Sequence, residues 1–203
     1  MYLSEDSPFE VVAFTVHERF ITSDRLLGRD VIPWEKLERS YPPNEASMLV
    51  AIGFSGVNRV RTRIYEECKH RGYELITYVN SRVAHWGELD IGDNCFIFED
   101  NVIQPFVRIG NNVVIWSGNH IGHHSAIEDN CFIASHAVIS GHVTIGQNSF
   151  VGVNATFRDG ITIAPDCVIG AGAVVLRDTL PKGVYKGPAA TLAPYGSDEL
   201  RNF

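Results

Sequence analysis

The run from Ile91 to Val175 decides the fold. In blocks of six it reads IGDNCF IFEDNV IQPFVR IGNNVV IWSGNH IGHHSA IEDNCF IASHAV ISGHVT IGQNSF VGVNAT FRDGIT IAPDCV IGAGAV V. Each block opens on a large apolar residue: Ile91, Ile97, Ile103, Ile109, Ile115, Ile121, Ile127, Ile133, Ile139, Ile145, Val151, Phe157, Ile163, Ile169, and then Val175. All but Phe157 are β-branched, and no insertion breaks the frame. An unbroken period of this length marks a repeat architecture. A period of six drifts around the 3.6-residue turn of an α-helix, whereas short strands joined by tight turns accommodate it.

The position four after each anchor is also restricted. It is mostly small or medium, as in Cys95, Asn119, Ser125, Cys131, Ala137, Ser149, Ala155, Cys167 and Ala173. Anchor and partner are therefore expected to point inward. Glycine after the anchor (Gly92, Gly110, Gly146, Gly170) or Asn/Asp is expected to serve the corners.

These hexads resemble the hexapeptide-repeat family, whose fold is a left-handed parallel β-helix. The resemblance covers about Ile91 to Val175 and implies close to five coils, three hexads to a coil. It also explains three of the four cysteines. Cys95, Cys131 and Cys167 are spaced by 36 residues, two coils on one face. Coils stack at about 4.8 Å, so these thiols stand roughly 9–10 Å apart, beyond disulfide reach. Cys68 lies outside the repeat, and no CxxC pair suggests a zinc ribbon.

Bulk properties exclude other classes. The chain has 203 residues, 45% hydrophobic, with a formal net charge of -7. That acidity argues against a nucleic-acid binder. No apolar run reaches the roughly 18 residues of a membrane helix, and the N-terminus has no signal-peptide pattern. A cytoplasmic location is expected.

The first 84 residues read as a small α/β domain with a parallel sheet. Strands are expected at Phe9–Val16, Val31–Ile32, Ser47–Gly53 and Glu74–Val79. Short helical structure is expected over Trp34–Ser40, and a helix over Arg59–Arg71 with Asn58 as N-cap. A β-helix domain then runs over 85–180, with a C-terminal turn and tail over 181–203. This order resembles the bacterial sugar acetyltransferases: nucleotide-sugar N-acetyltransferases and sialic acid O-acetyltransferases. In that family the N-terminal domain holds the nucleotide, which places Ile52 and Gly53 at the substrate. The family usually begins with a further strand, glycine-rich loop and helix before the segment matching VVAFTV. Here that first βα unit looks missing, and Val16-His17 stand near the place of the family's acidic pair.

The densest chemistry is NHIGHH, residues 119–124, with His120, His123 and His124. In the hexad frame Ile121 and Ser125 point inward, and His123 and His124 lie between them, facing out or at the corner. His136 and His142 follow in later hexads, and His142 stands 18 residues after His124. The family's catalytic base is a histidine two residues before the inward small residue. The triplet His123-His124-Ser125 therefore makes His123 the matching base, and Gly141 one coil later matches the backbone donor to the thioester carbonyl. Histidine titrates near neutrality and suits proton abstraction, and a pre-placed N–H stabilises an oxyanion. His124 stands where the family often has an acid, a role that Glu128, Asp129 or another subunit's residue would have to supply. Gly152, Asn154 and Gly170 suit a coenzyme A groove, and Arg177, Lys182 or Lys186 its phosphates. His120 is a further substrate contact.

The resemblance thus implies acetyl-CoA-dependent transfer to an amino or hydroxyl group of a nucleotide-linked sugar in surface-polysaccharide biosynthesis. It also implies a homotrimer with sites between subunits, served by exposed apolar residues such as Phe106, Trp116 and Phe132. No metal is expected as a cofactor. Two alternatives stand beside this reading. One is a metalloenzyme like the γ-class carbonic anhydrases, although the spacings of three, four and one among His120, His123 and His124 do not fit their pair five apart. The other is a non-catalytic hexapeptide-repeat subunit.

Overall fold

The computed structural model describes residues 2–195 and Glu199. The apolar anchors build a parallel β-helix of two-residue strands in sheets of seven, six and five strands. Every neighbouring pair joins residues 18 apart within the repeat, as in His120 opposite Val102 and Val138. The fold is the left-handed β-helix that the hexads imply. It extends past the repeat frame at both ends, from Tyr78–Val79 to Val184–Tyr185. His85, opposite Ile103, and Tyr185, opposite Ile169, stand at anchor positions in place of an aliphatic residue, so the periodicity hid both ends.

Both inward positions are sealed. From Ile97 to Ile169 the anchors are buried, as are their partners from Cys95 to Ala173. Burying one such aliphatic side chain contributes about 1.5–3 kcal/mol, and here they form one continuous column. All four cysteines are free thiols.

The corners differ from expectation. Positive φ recurs every six residues, three after each anchor, from Asn94 through Asp100, Phe106 and Asn112 to Gly172. The glycines directly after anchors have ordinary φ. They are required for another reason: a Cβ on Gly110 would meet Asp129 N at 2.8 Å, in the next coil. The prism thus has three left-handed edges. The first carries Asn94, Asn112, Asn130, Asn148 and Asp166, and the second carries Asp100, Gly118, His136, Asn154 and Gly172. The third carries Phe106, His124, His142 and Gly160.

Before the β-helix lie helix α1 (Tyr2–Asp6), strands β1 (Ala13–Val16), β2 (Arg25–Leu26) and β3 (Arg29–Pro33), and helices α2 (Leu37–Ser40) and α3 (Arg59–His70). The sheet is mixed rather than wholly parallel. β1 and β3 are parallel, but β2 turns back antiparallel onto β3. The strand expected at Ser47–Gly53 is reduced to one bridge, Met48 to Leu75. Farther along the segment the backbone pairs elsewhere: Val50 N–H donates to Asn94 Oδ1 on the first edge at 2.7 Å. The strand expected at Glu74–Val79 divides between that bridge and the first β-helix strand.

Helix α3 rivets the two parts together. Arg61 is fully buried with no carboxylate partner among the described residues. Its guanidinium donates to Asn130 O (2.8 Å), Cys131 O (3.0 Å), Asn112 O (3.4 Å), Gly53 O (3.2 Å) and Asn58 Oδ1 (3.1 Å). Burial pulls its pKa down to about 10. Asn58 occupies the N-cap position but makes no side-chain cap. Its φ is positive, and its amide donates instead to Asn148 O and Ser149 O. Phe54 packs on Phe132 and Phe150, with ring centroids 5.1 and 4.8 Å away. Phe132 is therefore buried, not the exposed apolar residue expected, whereas Phe106 and Trp116 remain exposed.

Candidate active site

The third edge gathers the histidines. His124 and His142 are both left-handed, where Asn, Asp or Gly is the ordinary occupant. A non-glycine residue there costs about 1 kcal/mol or more. The 18-residue register stacks their rings at 4.8 Å with an interplanar angle of 14°. Phe106, also left-handed, extends the ladder one coil earlier at 4.7 Å from His124.

His123 sits beside this ladder. Its backbone N–H is held by Gln104 Oε1 at 2.9 Å, which fixes the main chain under the side chain. Its ring lies edge-on to His124 and His142. Nδ1 of His123 is 3.1 Å from Nδ1 of His124. One nitrogen must donate and the other accept, so the pair fixes complementary tautomers. One ring nitrogen each from His123, His124 and His142 lie within 4.8 Å of one another, a group that can hold a metal ion.

Gly141 completes the pocket. A Cβ there would lie 2.9 Å from both Cε1 and Nε2 of His123 and 3.2 Å from Asp159 Oδ1. The absent side chain is the space into which His123 and Asp159 both point. The Gly141 carbonyl accepts from Gly160 N, but its own N–H has no acceptor among the described residues. Gly122 keeps that N–H uncovered, since a Cβ on Gly122 would stand 2.5 Å from it. The result is an exposed imidazole, a free backbone donor and a carboxylate around one gap. That combination can accept a proton, bind a developing oxyanion and balance a positive imidazole.

Asp159 is the residue that the sequence reading missed. The available signal was spacing, since Asp159 stands 36 residues after His123, two coils along one column. The acids considered instead are engaged elsewhere. Glu128 accepts from Gln147 N, and Asp129 from Asn111 N, both beside the first edge.

The other expected residues divide into groups. Gly152, Asn154 and Gly170 lie together at the second edge, where Gly152 and Gly170 stack and the Lys186 backbone covers Gly170. Arg177 is exposed, 18 residues after Asp159. His120 is half-buried on the strand leading to the third edge. Ile52 and Gly53 lie at the first edge, where Arg61 holds the Gly53 carbonyl, and one chain does not bring them to His123. Of the expected tail, residues 196–198 and 200–203 lie outside the described residues.

Comparison with known proteins places this architecture. The family pattern "Bacterial transferase hexapeptide (six repeats)" matches residues 90–123, 107–141 and 142–177. No curated protein sequence matches the chain. The acetyltransferase domain of PglB from Neisseria gonorrhoeae FA1090, solved with acetyl coenzyme A, is similar over 85% of this chain and 83% of that one. Its TM-score is 0.76 at 25% identity. PerB from Caulobacter crescentus, solved with CoA and GDP-perosamine, is similar over 82% and 79%, with a TM-score of 0.73 and 25% identity. WeeI from Acinetobacter baumannii AYE shares the fold at 17% identity, over 80% and 79%, with a TM-score of 0.56. The hexapeptide repeats and these structural similarities define a hexapeptide-repeat acyltransferase. The chain carries bacterial transferase hexapeptide repeats over residues 90–177, and its fold is similar to that of these sugar acetyltransferases.

Proposed function

We propose that this chain transfers the acetyl group of acetyl-CoA to an amino or hydroxyl group of a nucleotide-linked sugar, with His123 as general base. The observation that carries the reading is His123 over Gly141, whose N–H is uncovered. In the working tautomer, His123 Nδ1–H donates to His124 Nδ1 and leaves Nε2 free to take the acceptor's proton. The Gly141 N–H then donates to the oxyanion of the tetrahedral intermediate. Asp159 offsets the charge that His123 gains. Support also comes from the CoA and GDP-perosamine bound to PerB and the acetyl coenzyme A bound to the PglB domain.

The cofactor groove runs past Gly152, Asn154 and Gly170, with Lys186 and Arg177 toward the phosphates. The nucleotide end lies near Ile52 and Gly53, and His120 contacts the sugar. Because Ile52 and Gly53 sit at a different edge from His123, the complete site is placed between neighbouring copies of a homotrimer. Residues 1–84, 85–180 and 181–203 act as nucleotide-sugar domain, transferase domain and terminal segment. A cytoplasmic role in surface-polysaccharide biosynthesis follows from this substrate class. No helix among the described residues is long and apolar enough to cross a membrane.

The test is thiol release from acetyl-CoA with a panel of nucleotide-linked amino sugars. His123→Ala is expected to lower kcat by about 10²–10⁴-fold on the acceptor that works. Near-normal turnover by that variant would exclude His123 as the base. Light scattering should give about three times the 22.5 kDa chain mass.

A further inference from the structure

We propose that His123, His124 and His142 form a three-histidine site for a divalent transition metal ion such as Zn2+ or Co2+, and that its occupancy switches off the base. The observations are geometric. Among the described residues this is the one group of three metal-ligating side chains whose donor atoms converge, all within 4.8 Å. Nδ1 of His123 and Nδ1 of His124 are already 3.1 Å apart. Adjacent ligands of a tetrahedral zinc ion with bonds of about 2.0–2.1 Å stand roughly 3.3 Å apart, so a metal ion fits between them with little movement. The stacked His142 ring supplies the third nitrogen from one coil away. Imidazole nitrogens suit Zn2+, Co2+, Ni2+ and Cu2+, and do not suit Mg2+ or Ca2+. All three side chains are exposed, so water completes the coordination.

The consequence for His123 follows from valence. A neutral imidazole has one nitrogen with a free lone pair. Coordination through either nitrogen of His123 uses that lone pair, because the other nitrogen then carries the proton. The ion and the acceptor's proton therefore compete for the same electron pair. Inhibition rests on the proposed transferase reading, but metal binding does not.

The experiment separates the two. Protein freed of metal with EDTA is titrated with CoCl2 and followed by visible absorption, then back-titrated with ZnCl2. One cobalt per chain is expected, with the intense bands of tetrahedral coordination, bleached by zinc. His142→Asn keeps a residue suited to the left-handed corner and is expected to weaken binding by at least about tenfold while leaving metal-free acetyl transfer unchanged. His136→Asn, at another edge, should change neither. Zinc should abolish acetyl transfer by the parent protein, and EDTA should restore it. A non-saturating titration, or equal cobalt affinity in His142→Asn, would overturn the site. Tight cobalt binding with no acetyl transfer to any acceptor would sink the transferase reading and leave the metal site standing. Full activity at saturating zinc would overturn the inhibitory role.

Discussion

The imidazole of His123 and the carboxylate of Asp159 face one another across Gly141. Each lies about 3 Å from the point where a side chain on Gly141 would begin. The two residues are two coils apart, and the missing Cβ between them lets both occupy one gap. This places a negative charge beside the proposed base at a point where His124 cannot supply one.

Asp159→Asn removes that charge and little volume. The carboxylate is exposed and makes no hydrogen bond or ion pair among the described residues, so folding should be indifferent to the change. Solvent screens the interaction, and the expected loss in kcat is about three- to tenfold, with KM for acetyl-CoA unchanged. Added salt should narrow the difference between the two proteins. A variant as fast as the parent at low salt would remove Asp159 from the mechanism.

Gly141→Ala tests the gap itself. Gly141 has ordinary φ, so alanine brings no backbone strain. Its Cβ would stand 2.9 Å from the His123 ring, whose exposed end can swing away. The melting temperature should hold within a few degrees while kcat falls about 10²-fold, because a displaced base no longer meets its proton. A large drop in stability with normal specific activity would mean that the site tolerates the methyl group and that the coil does not.

The β-helix was legible from Ile91 onward because each anchor and partner obeys one six-residue rule, and the burial of Ile97 through Ile169 follows that rule. His123, His124 and Gly141 were legible for the same reason, since the frame states which residues share an edge. Asp159 needed two coils of register and was passed over for acids adjacent in sequence. The N-terminal part was less legible because its pairing is not local. Ser47–Gly53 has the composition of a strand, yet Val50 donates to a side chain 44 residues away. Asn58 has the composition of an N-cap, yet its amide is drawn to the carbonyls of Asn148 and Ser149.

The cysteines should be silent in the native protein. Burial pushes Cys95 and Cys131 up to about 12 and Cys68 up to about 11, and Cys167 is fully buried. Thiolate is the reactive form, so at pH 8 almost none of Cys68, Cys95 or Cys131 can attack a disulfide-exchange reagent, and burial keeps the reagent from Cys167. The expected titration is near zero thiols in buffer and four in denaturant. Rapid labelling of even one thiol in buffer would show that the segment around it opens readily.

Arg61→Met tests what joins α3 to the β-helix. Methionine fills much of the same volume but donates nothing. The carbonyls of Asn112 and Asn130, and Asn58 Oδ1, then lose the donor that Arg61 gives them. Each buried acceptor left unsatisfied costs about 1–3 kcal/mol, partly offset because the buried charge is also removed. The expected net loss is about 2–4 kcal/mol, read as a lower denaturant midpoint. Because the bonds lie at the interface, the loss should be local. Hydrogen exchange should quicken in α3 and along the first edge while the inner amides of the β-helix stay protected. Lysine at the same position should recover little, since one ammonium cannot reach acceptors spread over two coils and a helix. Uniformly faster exchange throughout the β-helix would instead make Arg61 part of the global folding unit rather than a rivet between two parts.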